Sequence, residues 1–100
     1  MTTTFGKACP AGDWTEVHDG AAAVTIGIQN AGGAVLFVAV ASSKPAVDLS
    51  TFDDYFLLGE GGAQSRGDPR SVSLDLDEGE KLYAYAMAAD GKVRGYKVAS

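Results

Sequence analysis

The sequence holds one histidine, His18, and one cysteine, Cys9, so nucleophilic or metal chemistry has few groups to draw on. A thiolate–imidazole pair would need Cys9 and His18 to meet, with a third group to orient the ring. Cys9 lies beside Pro10 in a stretch expected to be mobile, and His18 reads as a surface histidine at a strand end. Transition-metal sites recruit several imidazoles or thiolates, which this composition does not supply. No catalytic residue, metal ligand or cofactor is therefore assigned, and the expectation is a chain that is not an enzyme.

The other chemistry-bearing groups are carboxylates, turns and aromatic rings. Asp75-Leu76-Asp77-Glu78-Gly79-Glu80 is acidic enough to suggest calcium, but it lacks the third acidic position and the distant glutamate of an EF-hand loop. Asp53-Asp54 is a bare pair, and both clusters read as solvated acidic turns. Arg66-Gly67-Asp68 spells a tripeptide that integrins read in some adhesive proteins; followed by Pro69, it is ordinary turn chemistry. Gly59-Glu60-Gly61-Gly62 places an acid where a phosphate would sit, so it does not cradle an anion. Tyr83, Tyr85 and Tyr96 can form a stripe on the outer face of a C-terminal hairpin, with Trp14 joining it. Such a stripe stacks sugars or anchors a protein interface, and core packing or cross-strand pairing is the other use of the same rings.

Short strands must position these groups. Asp19-Gly20, Asn30-Ala31-Gly32-Gly33, Asp68-Pro69, Asp77-Glu78-Gly79 and Asp90-Gly91 punctuate the chain. Asp-Gly between extended segments is a strong hairpin cue, because both central residues of a type I′ turn need positive φ. Val24, Ile26 and Ile28 alternate with Thr25, Gly27 and Gln29, and Val72, Leu74 and Leu76 alternate with Ser71, Ser73 and Asp75. Period-two patterning of this kind gives each strand one buried and one wet face. Trp14 to His18 is a short strand, and residues 81–88 and 92–99 are expected to pair as a hairpin around Asp90-Gly91. Residues 34–41 are apolar on both faces, which calls for a cover on each side: a loop of the same chain or a neighbouring subunit. Ser42 to Pro69 reads as loop-dominated, with at most one helical turn from Ser50 leading into a strand at Tyr55 to Leu58.

Together these elements predict an all-β fold, an antiparallel β-sandwich or jelly-roll-like barrel of seven to eight short strands. Residues 1–12 are expected to form a flexible arm and residues 13–100 a single β domain. The 100 residues carry a net charge of −5 with only eight dispersed basic residues, which argues against nucleic acid and anionic membranes as partners. The start of the sequence lacks the charged and apolar regions of a signal peptide, so synthesis in a cytoplasm is expected. The hydrophobic fraction is built from small residues, sixteen Ala and nine Val against two Ile, which favours close backbone approach.

Trp14-x-x-Val17, then Val24-Thr25-Ile26-Gly27-Ile28-Gln29-Asn30 closed by Gly32-Gly33, then Leu82-Tyr83-Ala84 and a final valine strand form a recognisable order. Over residues 14–98 it resembles small β-rich virion proteins of tailed bacteriophages, the capsid decoration (cement) proteins and head-spike base domains. Residues 42–69 lie outside that pattern. The resemblance implies a structural role on the outer capsid surface, with the major capsid protein and further copies of the chain, as a homotrimer, for partners. It implies a protein made in the host cytoplasm and located in the virion. Leu36, Val38 and Val40, with Trp14, Tyr83, Tyr85 and Tyr96, are the interface candidates. The competing reading is a carbohydrate- or receptor-binding module of a spike or fibre, which would take a host-surface glycan on the tyrosine face.

Overall fold

The computed structural model describes residues 2–32, 35–45, 55–59, 71–86 and 89–99. They form eight strands: β1 (Thr2–Cys9), β2 (Trp14–His18), β3 (Val24–Asn30), β4 (Leu36–Ala41), β5 (Phe56–Leu58), β6 (Ser71–Leu76), β7 (Lys81–Ala86) and β8 (Gly91–Ala99). Sheet I has the order β1-β8-β3-β6 and sheet II the order β2-β7-β4-β5. β1 pairs β8, β2 pairs β7, β3 pairs β6 and β4 pairs β5, all antiparallel. This is one long hairpin, its tip between β4 and β5, rolled so that its two arms close a sandwich. The β3–β8 and β4–β7 pairings complete the sheets, giving the eight-strand jelly roll.

The expected alternation is present. Val24, Ile26 and Ile28 on β3 point into the space between the sheets and sit opposite Leu76, Leu74 and Val72 on β6. Leu82, Ala84 and Ala86 on β7 face them from sheet II, beside Leu36 and Val38 on β4. Asn30, at the end of β3, is fully buried among these apolar groups. Its Nδ2 donates to the carbonyls of Leu58 (3.4 Å) and Gly59 (2.8 Å), and its Oδ1 accepts from the Gly32 amide (3.0 Å). One amide side chain thus ties the end of β5 in sheet II to the end of β3 in sheet I, satisfying backbone groups that burial would otherwise leave unpaired.

The glycine turns do not make the hairpins their composition suggests. Asp19-Gly20 joins β2 in sheet II to β3 in sheet I, and Asp90-Gly91 likewise joins β7 to β8 across the sandwich. A C-terminal hairpin of residues 81–88 with 92–99 is therefore absent. Turn chemistry specifies a local φ, here +75° at Gly20, but not which strand the chain pairs with next. Gly20 also packs against a further inter-sheet turn, Asp77-Glu78-Gly79 between β6 and β7, where the Gly79 amide donates to its carbonyl at 2.9 Å. A Cβ at Gly20 would lie 3.2 Å from the Gly79 carbonyl carbon, so a side chain there would crowd that turn as well as strain a positive φ.

Two expectations about the N-terminus are corrected. Residues 2–9, expected within a flexible arm, form β1 and pair with β8 along its full length, from Thr2–Val98 to Cys9–Gly91. Strand alternation is hard to see there because only Phe5 and Cys9 reach the core. Cys9 is fully buried rather than mobile, and burial is the main influence raising its thiol pKa above the ordinary value. The helical turn expected from Ser50 falls at residues outside the description; β5 follows where a strand was expected.

Candidate functional site

A jelly roll offers two outer faces and the edges of its sheets for function, and here the two faces differ. On sheet II the outward residues of β4 and β7 are Phe37, Ala39, Tyr83 and Tyr85, joined by Trp14 from β2. Phe37 stacks on Tyr55 (centroids 4.7 Å apart) and on Tyr85 (6.0 Å), and Tyr85 meets Trp14 at 5.2 Å. Trp14 and Tyr83 are each only 4% exposed and Phe37 8%. The second cover that the doubly apolar strand demanded is supplied by the chain itself. The Lys44 ammonium and Asp13 carboxylate meet at 2.9 Å beside it, and that cation is the first cause holding the Asp13 carboxyl below its usual range.

Sheet I presents the opposite surface. Register places three rows across its outer face: Gly6, Arg94, Gln29 and Ser71; then Thr4, Tyr96, Gly27 and Ser73; then Thr2, Val98, Thr25 and Asp75. The middle row holds the one exposed aromatic ring among the described residues, Tyr96, at 38%. Its ring lies over Gly27, where any Cβ would overlap ring atoms, so one face rests on the sheet and the other meets solvent. The glycine is required by this close approach, and an isolated Gly in an alternating strand was the available signal for it. Above the ring, the Arg94 Nε–H donates to Gln29 Oε1 at 2.7 Å; below it, the Thr25 hydroxyl donates to Asp75 Oδ1 at 2.7 Å. Beside Tyr96 runs an open groove of about 410 Å³ lined by Gln29, Ser71, Ser73 and Arg94 over a floor of Gly27 and Gly95.

Against this geometry the interface candidates separate into three groups. Leu36 and Val38 are fully buried between the sheets and Val40 packs against the same core, so these three are corrected to core residues. A strand apolar on both faces gives period two without telling which face is inward. Trp14, Tyr83 and Tyr85 belong to the covered cluster of sheet II. Tyr96 alone is open, on the opposite sheet, so no single stripe joins the three tyrosines.

The remaining chemistry is scattered. His18 is buried, not a surface residue; its Nε2 lies 3.2 Å from the Ala22 carbonyl and its Nδ1 has no hydrogen-bond partner. Cys9 Sγ meets the Lys7 carbonyl at 3.9 Å. Among the described residues, no three His, Cys, Asp or Glu side chains gather as a metal site. Asp53-Asp54 and Arg66-Gly67-Asp68 lie outside the described residues. Sequence reasoning missed Asn30 and the Arg94–Gln29 pair, since a buried amide and a cross-strand partner 65 residues away leave no local pattern.

Comparison with known proteins adds one likeness. The sequence matches no protein family and no curated protein. Among solved structures, RmlC from Streptococcus suis, determined in complex with dTDP-D-xylose, superposes with a TM-score of 0.55 at 11% identity. The match covers 99% of this chain and 44% of RmlC, so the chain spans less than half the length of that protein. At this identity the likeness shows the fold alone. It nevertheless corrects the expectation that the chain is not an enzyme, because RmlC is a sugar epimerase. This architecture carries catalysis, and a scarcity of His and Cys does not exclude it.

Proposed function

We propose that this chain is a structural component of a bacteriophage virion, a decoration module that docks on the outside of the head and braces its shell. The resemblance over residues 14–98 supports this reading, and so does the jelly roll, which recurs in viral capsid proteins. The observation that carries it is the edge of β1.

An open sandwich has four edge strands, and native proteins blunt such edges with short strands, bulges or charges. β5 has three residues, β2 is interrupted by a register shift between Glu16 and His18, and β6 carries Asp75 outward. β1 has one such protection, the charge of Lys7 near its C-terminal end, and none along Thr2 to Gly6. It runs eight residues in unbroken register with β8, holds a single charge at Lys7, and has no strand on its other side among the described residues. That edge is suited to strand addition, in which main-chain hydrogen bonds join it to a neighbouring subunit. The partners are the major capsid protein and further copies of this chain.

The test is sedimentation of the purified chain with undecorated phage heads, with the temperature of DNA release read in parallel. Binding and a raised release temperature are expected. Along an antiparallel pair, neighbouring residues direct their N–H groups to opposite sides. Thr3→Pro and Thr4→Pro are therefore made as two separate variants: one disturbs the β1–β8 pairing, and the other keeps the fold but abolishes head binding. A chain that stays monomeric and leaves bare heads unchanged contradicts the proposal.

A further inference from the structure

We infer that the outer face of sheet I is a saccharide-binding site, with Tyr96 as its stacking platform. This goes beyond the virion reading and does not depend on it.

Three observations converge. First, the Tyr96 ring rests on Gly27, which leaves a flat aromatic face open above the sheet. A pyranose offers a matching patch of C–H groups, and an aromatic ring held in place binds it with little loss of side-chain freedom. Second, the ring is flanked by groups that both donate and accept hydrogen bonds. Ser73 lies beyond Gly27, Gln29 and Ser71 lie one row above, and Asp75 and Thr25 one row below. The Arg94–Gln29 and Thr25–Asp75 hydrogen bonds hold these side chains in orientation, as a hydroxyl-rich ligand requires. Third, the groove volume of about 410 Å³ lies in the range of roughly 300–1,000 Å³ typical of small-ligand sites, yet it is open to solvent. Such a shape takes a sugar unit side-on, as part of a longer glycan.

Other occupants fit less well. A phosphate-rich ligand would want several cations, and among the described residues Arg94 alone lines the groove as a cation. An apolar peptide would want deep hydrophobic pockets, whereas most of the side chains along the three rows are short and polar.

The experiment is a glycan array probed with the intact chain, followed by saturation-transfer NMR and calorimetric titration with the best-bound oligosaccharide. Binding is expected with saturation transferred from Tyr96. Tyr96→Ala should lower affinity at least tenfold, and Tyr96→Phe should retain it within about threefold, since the stacking face is kept. Gly27→Ala should also weaken binding about tenfold although Tyr96 is still present, because the new methyl displaces the ring from its seat. Thermal melting and head binding of each variant are measured alongside, so that loss of fold is told apart from loss of site. An array without hits, or an affinity unmoved by Tyr96→Ala, overturns the inference. A chain that binds heads but no glycan defeats this inference alone, and one that binds glycan but no heads defeats the virion reading alone.

Discussion

The two outer faces of this sandwich show how similar residues come to do different work. Each face carries tyrosine beside apolar or small neighbours, and each strand alternates with the same period. On sheet II, Trp14, Phe37 and Tyr83 are buried in one cluster, and the partly buried rings of Tyr55 and Tyr85 pack on Phe37 and Trp14. On sheet I a single ring lies on a glycine among serines, threonines and paired polar groups, and it stays open. Aromatic content therefore does not mark a binding face; what lies beneath and around the ring does. The sealed face contributes stability, and the open face is left for recognition.

Truncating a ring on each face breaks the comparison most directly. Phe37→Ala removes the centre of the sealed stack and should cost about 3–4 kcal/mol in chemical denaturation. A loss below about 1 kcal/mol would mean that sheet II is not closed as described. Asn30→Ala should cost about 2 kcal/mol, because the carbonyls of Leu58 and Gly59 lose a buried donor. Its effect falls on the link between the sheets, so both faces should loosen together in amide exchange.

A smaller effect concerns pH. The buried Cys9 has a pKa raised chiefly by desolvation, against weaker opposing influences from Thr15 and Lys7. The sign follows from linkage: the unfolded thiol ionises first as pH rises, so this contribution is complete below the ordinary thiol value and is lost above it. Denaturation at about pH 7 and about pH 10 should show a decline that Cys9→Ala reduces, and native Cys9 should resist thiol reagents. Rapid labelling at neutral pH would contradict the burial of β1's last residue. The smallest expected change is in Tyr96→Ala, which should alter stability by no more than about 0.5 kcal/mol, in contrast with Phe37→Ala.

The sequence makes some of this plain and hides the rest for physical reasons. Alternation in residues 24–28 and 72–76 identifies the inward residues of β3 and β6, which indeed face the core side by side. It cannot orient β4, where Leu36 and Val38 are as apolar as Phe37, so the interface candidates Leu36, Val38 and Val40 turned out to be core. Nor can it assign sheets. Asp19-Gly20 and Asp90-Gly91 have hairpin composition, yet each crosses the sandwich because long-range pairing decides the partner. β1 reads as an arm because an edge strand shows little of the core's pattern: five of its first seven residues are Thr, Gly or Ala. Tyr96 was legible as a candidate stacking ring, but grouped with Tyr83 and Tyr85; its seat on Gly27 was not legible, since the two meet only across β3 and β8.

On this reading interaction belongs to sheet I, with β1 as the docking edge, while the aromatic face of sheet II is packed away. Amide hydrogen exchange of the chain, free and bound to undecorated heads, tests it most directly. Slowed exchange is expected at the outward-facing amides of Thr2–Cys9 on binding, with β2, β4 and β7 unchanged. Protection confined to sheet II, with β1 exchanging as in the free chain, would contradict it.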